Sequence, residues 1–181
     1  MKTRKIALIG GPSTGKTTLI NALKSDGYHC MEEISRQVTI DAQEKGIDQL
    51  FLTNPLLFSE LLLESRISQF SDSNKNKLEN VFFDRGIPDV LAYLDFKKMK
   101  YDQQYIIACN KYRYDLVFIL RPWKDIFVND NERYESFEES VQIDKYIYKT
   151  YKNLKYNIIE IPNMSITERK DFVINTIKKY V

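Results

Sequence analysis

The sequence predicts an α/β fold in which a mostly parallel sheet is covered by helices on both faces. Three observations carry that expectation. Short apolar runs alternate with helical patterns along the chain, which is the order of βαβ crossovers. A glycine-rich segment, Gly10-Gly11-Pro12-Ser13-Thr14-Gly15-Lys16-Thr17-Thr18, follows the first apolar run directly. The 181 residues are 43% hydrophobic and 29% charged, a balance that suits one compact domain with a full core, spanning 1–181.

The strand-type runs are 6–9, 81–83, 116–120 and 158–161, with 28–31 as a weaker fifth. Each is short, apolar and bounded by polar or glycine-bearing segments, as expected of strands buried on both faces. Between them the spacing predicts helices near 16–25, 35–45, 55–71, 88–97, 103–112, 137–151 and 167–179. Pro55 and Pro88 stand in first-turn positions, where the missing N–H costs nothing, and Thr167 reads as an N-cap. Residues 46–53 with the helices on either side form an insertion, about 34–75, between the second and third strands. The polar run 71–80 is a connection, and the charge-rich run 121–136 after the fourth strand reads as a lid or flap over the ligand edge of the sheet.

Bulk charge excludes several classes. With 27 basic and 25 acidic side chains the formal net charge is +2, so no global field points to nucleic acid or to a membrane surface. Lys97, Lys98 and Lys100 beside Tyr101 read as a solvated helix end. Two isolated cysteines and one histidine support neither a disulfide framework nor a zinc site and suit a reduced, cytoplasmic setting. The first apolar run is too short for a signal peptide, and 50–63, interrupted by Asn54, Pro55 and Glu60, is too short to span a bilayer.

The glycine segment fits G-x-x-x-x-G-K-[ST] between a strand and a helix, the pattern of a phosphate-binding loop. Within the loop Gly11-Pro12-Ser13-Thr14-Gly15 and the residues that follow, successive backbone N–H groups, Pro12 itself having none, curl around one anion, and the helix adds its positive end. Lys16 reaches the β and γ phosphates, the Thr17 hydroxyl takes a position on Mg²⁺, and Thr18 completes the loop. The cofactors implied are ATP and Mg²⁺.

Asp84 ends the third apolar run, a position that sets a carboxylate at the sheet edge beside the loop, where it holds Mg²⁺ directly or through water. Arg85, next in a D-R-G sequence, has the planar fork to grip an anionic or polyhydroxyl acceptor. Its plain alternative is a capping aspartate with a salt-bridged arginine. Glu33, after the weak second strand, can accept a proton from an acceptor hydroxyl while Arg36 fixes the acceptor; the alternative is a pair of acids, Glu32 and Glu33, favouring a helix N-terminus. Arg121 and Arg133 are the candidates for neutralising charge on the transferred phosphoryl, with Arg133 preferred and Asp130 steering it. Trp123 either stacks on a base or anchors the flap, with anchoring favoured. Asn110-Lys111-Tyr112-Arg113 imitates the guanine-reading N-K-x-D but carries arginine where a carboxylate is required, and adenine is therefore the default base, against the Pro162-Asn163 turn.

With the glycine loop, Glu33-x-x-Arg36 and Phe82-Phe83-Asp84-Arg85-Gly86-Ile87-Pro88-Asp89 in place, the chain resembles the bacterial AAA-domain ATPases related to the NadR kinase domain. Lys111-Tyr112-Arg113-Tyr114-Asp115, Pro122-Trp123, Asp130 to Arg133 and Phe137-Glu138-Glu139 extend the resemblance over nearly the whole chain. The resemblance implies a three-layer P-loop NTPase fold like that of thymidylate and nucleoside kinases, with sheet order 2-3-1-4-5 and a lid. It does not imply the appended helical subdomain of a ring-forming motor, nor NAD regulation.

The expected activity is ATP- and Mg²⁺-dependent phosphoryl transfer to a small hydroxylated or nucleoside-like metabolite. Its catalytic residues are Lys16, Glu33, Asp84 and Arg133, and Arg36 and Arg85 bind the acceptor. The alternative is a nucleotide-binding regulatory ATPase acting through a protein partner, and a homo-oligomer stays open in either case.

Overall fold

Strand β1 (Arg4–Ile9) shows why the core has two sides: Ile6 and Leu8 face one layer of helices while Ala7 and Ile9 face the other, the period-two alternation of a pleated strand. The structure, a computed structural model, describes residues 3–75, 78–127 and 135–180. Its remaining strands are β2 (His29–Met31), β3 (Asn80–Asp84), β4 (Leu116–Leu120) and β5 (Ile158–Ile161). All pair in parallel in the order β2-β3-β1-β4-β5, as the resemblance implied.

The helices are α1 (Lys16–Ser25), α2 (Ser35–Glu44), α3 (Leu50–Thr53), α4 (Pro55–Asp72), α5 (Ile87–Phe96), α6 (Gln104–Lys111), α7 (Phe137–Asn153) and α8 (Ile166–Lys178). On one face of the sheet, Leu19 and Leu23 of α1 pack with Val173 and Ile177 of α8 over Ile6, Phe82 and Phe118. On the other, Ala92 of α5 and Ile143, Ile147 and Tyr151 of α7 cover Ala7, Phe83 and Val117. A third cluster joins α2, α3 and α4 to α5 and α6 through Val38, Leu50, Phe58, Leu62, Val90 and Tyr105. It gives the stretch between β2 and β3 an apolar core of its own, held against the side of the sheet.

Two local expectations change. Residues 50–53, placed in the 46–53 segment between two helices, wind into a single turn of their own, α3, after which Asn54 caps α4 by accepting from the Leu57 N–H at 3.2 Å. Thr167 is not the cap of the last helix. Ser165 is, because Ser165 and Glu168 satisfy each other's backbone N–H groups in a capping box.

The topology places the carboxyl ends of β1 and β3 side by side. Leu8 pairs with Asp84, and the Arg85 N–H donates to the Leu8 carbonyl at 3.0 Å. That edge, where connections leave β1 in opposite directions, is where ligands collect in open parallel sheets.

Candidate functional site

The loop between β1 and α1 is shaped by close approach. At Gly10, φ is 138° and a Cβ would collide with the Leu120 carbonyl, so only glycine fits. Behind the loop, α7 braces it: the Ser140 hydroxyl donates to the Pro12 carbonyl at 2.7 Å. Lys16, 5% exposed, curls over the loop and donates from Nζ to the Gly10 and Gly11 carbonyls at 2.9 and 2.6 Å and to Thr14 Oγ1 at 3.2 Å. Burial, with the Arg85 charge adding to it, pushes the Lys16 ammonium down to about 7.

Asp84 stands opposite at the end of β3, buried, and its Oδ1 has no hydrogen-bond partner among the described residues. Burial and the neighbouring Glu33 charge raise its pKa. A buried carboxylate oxygen without a donor, beside a loop built for phosphate, fits a hard divalent cation. Thr17, exposed in the same cleft, fits the second position. Among the described residues there is no cluster of three or more His, Cys, Asp or Glu able to hold a metal.

Glu33 lies two residues beyond the last residue of β2 and is held from two sides. It accepts from Arg85 Nε and from an Arg66 terminal nitrogen at 3.1 Å. Burial opposes its ionisation, but Arg85 and Arg66 outweigh it and hold the carboxyl down at about 2. Arg85 takes a left-handed backbone, φ 73°, which turns its side chain toward Glu33 instead of continuing the strand. Next to it Gly86 is packed so tightly that a Cβ would strike the Tyr151 hydroxyl. That hydroxyl donates to Asp89 Oδ2 at 2.6 Å, and the same oxygen accepts from the Gly86 N–H at 2.8 Å, fixing the start of α5.

These groups line one cleft of about 1200 Å³. Trp123, Ile126, Met164, Ile166 and Arg169 form one end, past the phosphate loop, and Arg169 lies over the Trp123 ring at 5.0 Å. Phe51, Phe58, Leu62, Val90 and Tyr93 form the other end, with Arg36 and Ser59 as polar groups. The same cleft is lined by Lys16, Asp84, Arg85 and Glu33.

Of the sequence-predicted residues, 12–18, Glu33, Arg36, Asp84 and Arg85 all line this cleft, while Gly11 lies behind it against Ser140. Arg133 and Asp130 lie outside the described residues. Arg121 does not face the phosphates. Asp144 at 2.6 Å and Glu160 at 3.1 Å hold it, and it packs over the Tyr148 ring, so it ties β4 to α7 and β5. Trp123 lines the cleft while packing on Arg169, so one position serves both readings. Sequence reasoning missed Arg66 and Arg169. The signal was present: each interrupts an apolar stripe at helical spacing, Phe58-Leu62-Arg66-Phe70 on α4 and Ile166-Arg169-Val173-Ile177 on α8.

The family model described as "AAA domain" matches residues 5–169. None of the curated proteins matches the chain. Among solved structures, the chain is similar to deoxyadenosine kinase from M. mycoides, at 17% identity and TM-score 0.71, covering 97% of this chain and 99% of that one. It is similar to NadR in complex with NR, at 16% identity and TM-score 0.74, covering 98% of this chain and 49% of that one. A third likeness is to thymidylate kinase from Ehrlichia chaffeensis, at 16% identity and TM-score 0.65, covering 98% of this chain and all of the other. At these identities the likeness is one of fold.

Proposed function

Because the chain belongs to the AAA-domain family, we propose that it is a kinase that transfers the γ-phosphoryl of ATP, with Mg²⁺, to the hydroxyl of a nucleoside-like metabolite. The observation that carries this reading is a single cleft lined both by the phosphate loop with Lys16 and Asp84 and by an apolar wall of Phe51, Phe58, Leu62, Val90 and Tyr93, with Glu33 and Arg85 in the same lining. A hydrolase needs no apolar wall beside its phosphate loop. The folds it resembles include a deoxyadenosine kinase with bound dATP and NadR with NR, which supports a nucleoside-like acceptor.

Phosphoryl transfer asks mainly for positioning and for charge neutralisation. Lys16 leaves the loop carbonyls for the β and γ phosphates, whose charge restores the ammonium that burial disfavours. Asp84 and Thr17 would hold the magnesium, which neutralises charge on the phosphates when bound. Glu33, kept ionised by two arginines, accepts a hydrogen bond from the acceptor hydroxyl and aims its oxygen at the phosphorus. As the O–P bond forms and the bond to ADP breaks, the hydroxyl proton passes to Glu33 or through it to solvent. A carboxyl held near 2 is a weak base, so its main work is orientation before transfer and proton acceptance late in it. Arg36 lines the same cleft and would steady the acceptor there. Phe51, Phe58 and Tyr93 offer a planar base its stacking surfaces. The segment between β2 and β3 then serves as the acceptor-side insertion and the segment after β4 as the lid.

The test is an acceptor screen with purified protein, ATP and Mg²⁺ against ribo- and deoxynucleosides, nicotinamide riboside and simple polyols, reading ADP release and a phosphorylated product. At least one nucleoside should raise ADP release about a hundredfold or more over water, and Lys16→Ala should abolish it. ATP binding without any phosphorylated acceptor would replace the kinase reading with that of a nucleotide-dependent regulator.

A further inference from the structure

Glu33 hangs beyond the last hydrogen bond of a three-residue edge strand, so the sheet cannot fix it. Helix α4 does so instead. One turn of that helix carries Arg66 and Gln69 on the same side: Gln69 Nε2 donates to the Glu32 carbonyl at 2.9 Å, and Arg66 donates to the Glu33 carboxylate. Arg66 also donates from its other terminal nitrogen to the Gly86 carbonyl, just past Asp84 and Arg85. It thus joins three separate stretches of chain in the lining of the cleft. Arg66 is 4% exposed, on a stripe otherwise occupied by Phe58, Leu62 and Phe70, where an apolar side chain would fill the same space without desolvating a guanidinium. Only a planar fork can serve a carboxylate and a carbonyl together.

We propose that Arg66 is a positioning residue for phosphoryl transfer: with Gln69, it lets helix α4 set the place and direction of the Glu33 carboxylate. The inference rests on the kinase reading above for its activity readout. Without Arg66, Glu33 keeps Arg85 and the long contact from the Ser35 N–H at 3.5 Å, and with the Arg66 fork gone the carboxylate is able to swing about Arg85. Misplacement by about an ångström is enough to cost a large factor in transfer rate while leaving ATP binding intact.

The experiment is a double-mutant cycle with Arg66→Met and Glu33→Gln, measured as single-turnover transfer from ATP to deoxyadenosine, or to whichever nucleoside the screen returns. In the presence of Glu33, Arg66→Met should lower kcat by about tenfold or more with the KM for ATP unchanged. In the Glu33→Gln background the same change should cost less than about threefold, because a residue acting through Glu33 has nothing left to position. Arg66→Lys, which keeps the charge but not the fork, should recover only part of kcat. Gln69→Ala should show a smaller loss of the same kind, and it carries the cycle if Arg66→Met fails to fold. Equal losses in both backgrounds, or a rise in acceptor KM with kcat unchanged, would overturn the inference. A crystal structure of Arg66→Met, or of Arg66→Lys, supplies a readout apart from activity. The Glu33 carboxylate should keep Arg85 but swing away from its wild-type position and direction, and a Glu33 that stays put sinks the inference. A wild-type protein that phosphorylates no nucleoside would sink the kinase reading alone.

Discussion

Glu33 and Lys16 face each other across the cleft with opposite departures from their ordinary ionisation. Lys16 is pushed down to about 7, chiefly by burial, and Glu33 is held down at about 2, where Arg85 and Arg66 outweigh burial. For Glu33 the sign is that of a depressed carboxylate: the ionised form is favoured in the folded state, so stability is gained above the unfolded pKa. That contribution is present above about pH 5 and is lost as pH falls toward about 2. Glu33→Gln should therefore flatten the loss of stability between pH 5 and 2, seen in urea midpoints across that range. Parallel wild-type and variant curves would show that the two arginines do not favour the ionised form. For Lys16 the pKa is lowered as well, but there it is the charged form that loses. Its protonated form is disfavoured in the protein alone, so ATP binding at pH 8 should take up a proton and binding at pH 5.5 should not. Calorimetry in buffers of different ionisation enthalpy reads this directly, and an absence of uptake at pH 8 would place the lysine away from the phosphates.

At the scale of elements, short capping motifs and two buried charges decide how the helices meet the cleft. The Ser165–Glu168 box starts α8 so that Arg169 falls against the phosphate loop, donating to the Thr14 carbonyl at 3.4 Å. Ser165→Ala should cost about 1 kcal/mol in chemical denaturation. A loss below about 0.3 kcal/mol would mean that the box does not define the helix start. Helix α7 braces the loop through Ser140 and is tied to β4 through the Asp144–Arg121 pair, so it links the segment that follows β4 to the phosphate loop. Periodicity placed both helices correctly, because apolar stripes survive one foreign residue. It did not reveal why the stripes are broken, since a charge on a helix reads as a solvated face until the neighbouring elements are known.

Across the whole molecule, the parallel sheet brings residues 10–18, 33, 84 and 85 to one edge although they are far apart in the chain. Among the described residues no helix is long and apolar enough to cross a membrane. The lone tryptophan, Trp123, lines the cleft beside Arg169 and reports on it. ATP should change its emission at concentrations that saturate wild-type protein, and Lys16→Ala should abolish the change. Unaltered emission at millimolar ATP would move the donor base off this wall. The sequence by itself determined the alternation of strands and helices, the glycine loop between β1 and α1, and that Lys16, Glu33, Asp84 and Arg85 lie at or after strand ends, because each depends on local spacing or on one contiguous motif. Only the tertiary structure decided that Arg121 is an ion-paired tie between elements and that Arg66 holds Glu33. A side chain's partner is set by which strand edges and helix faces converge, and that convergence is a property of the packed sheet, not of any window of the chain.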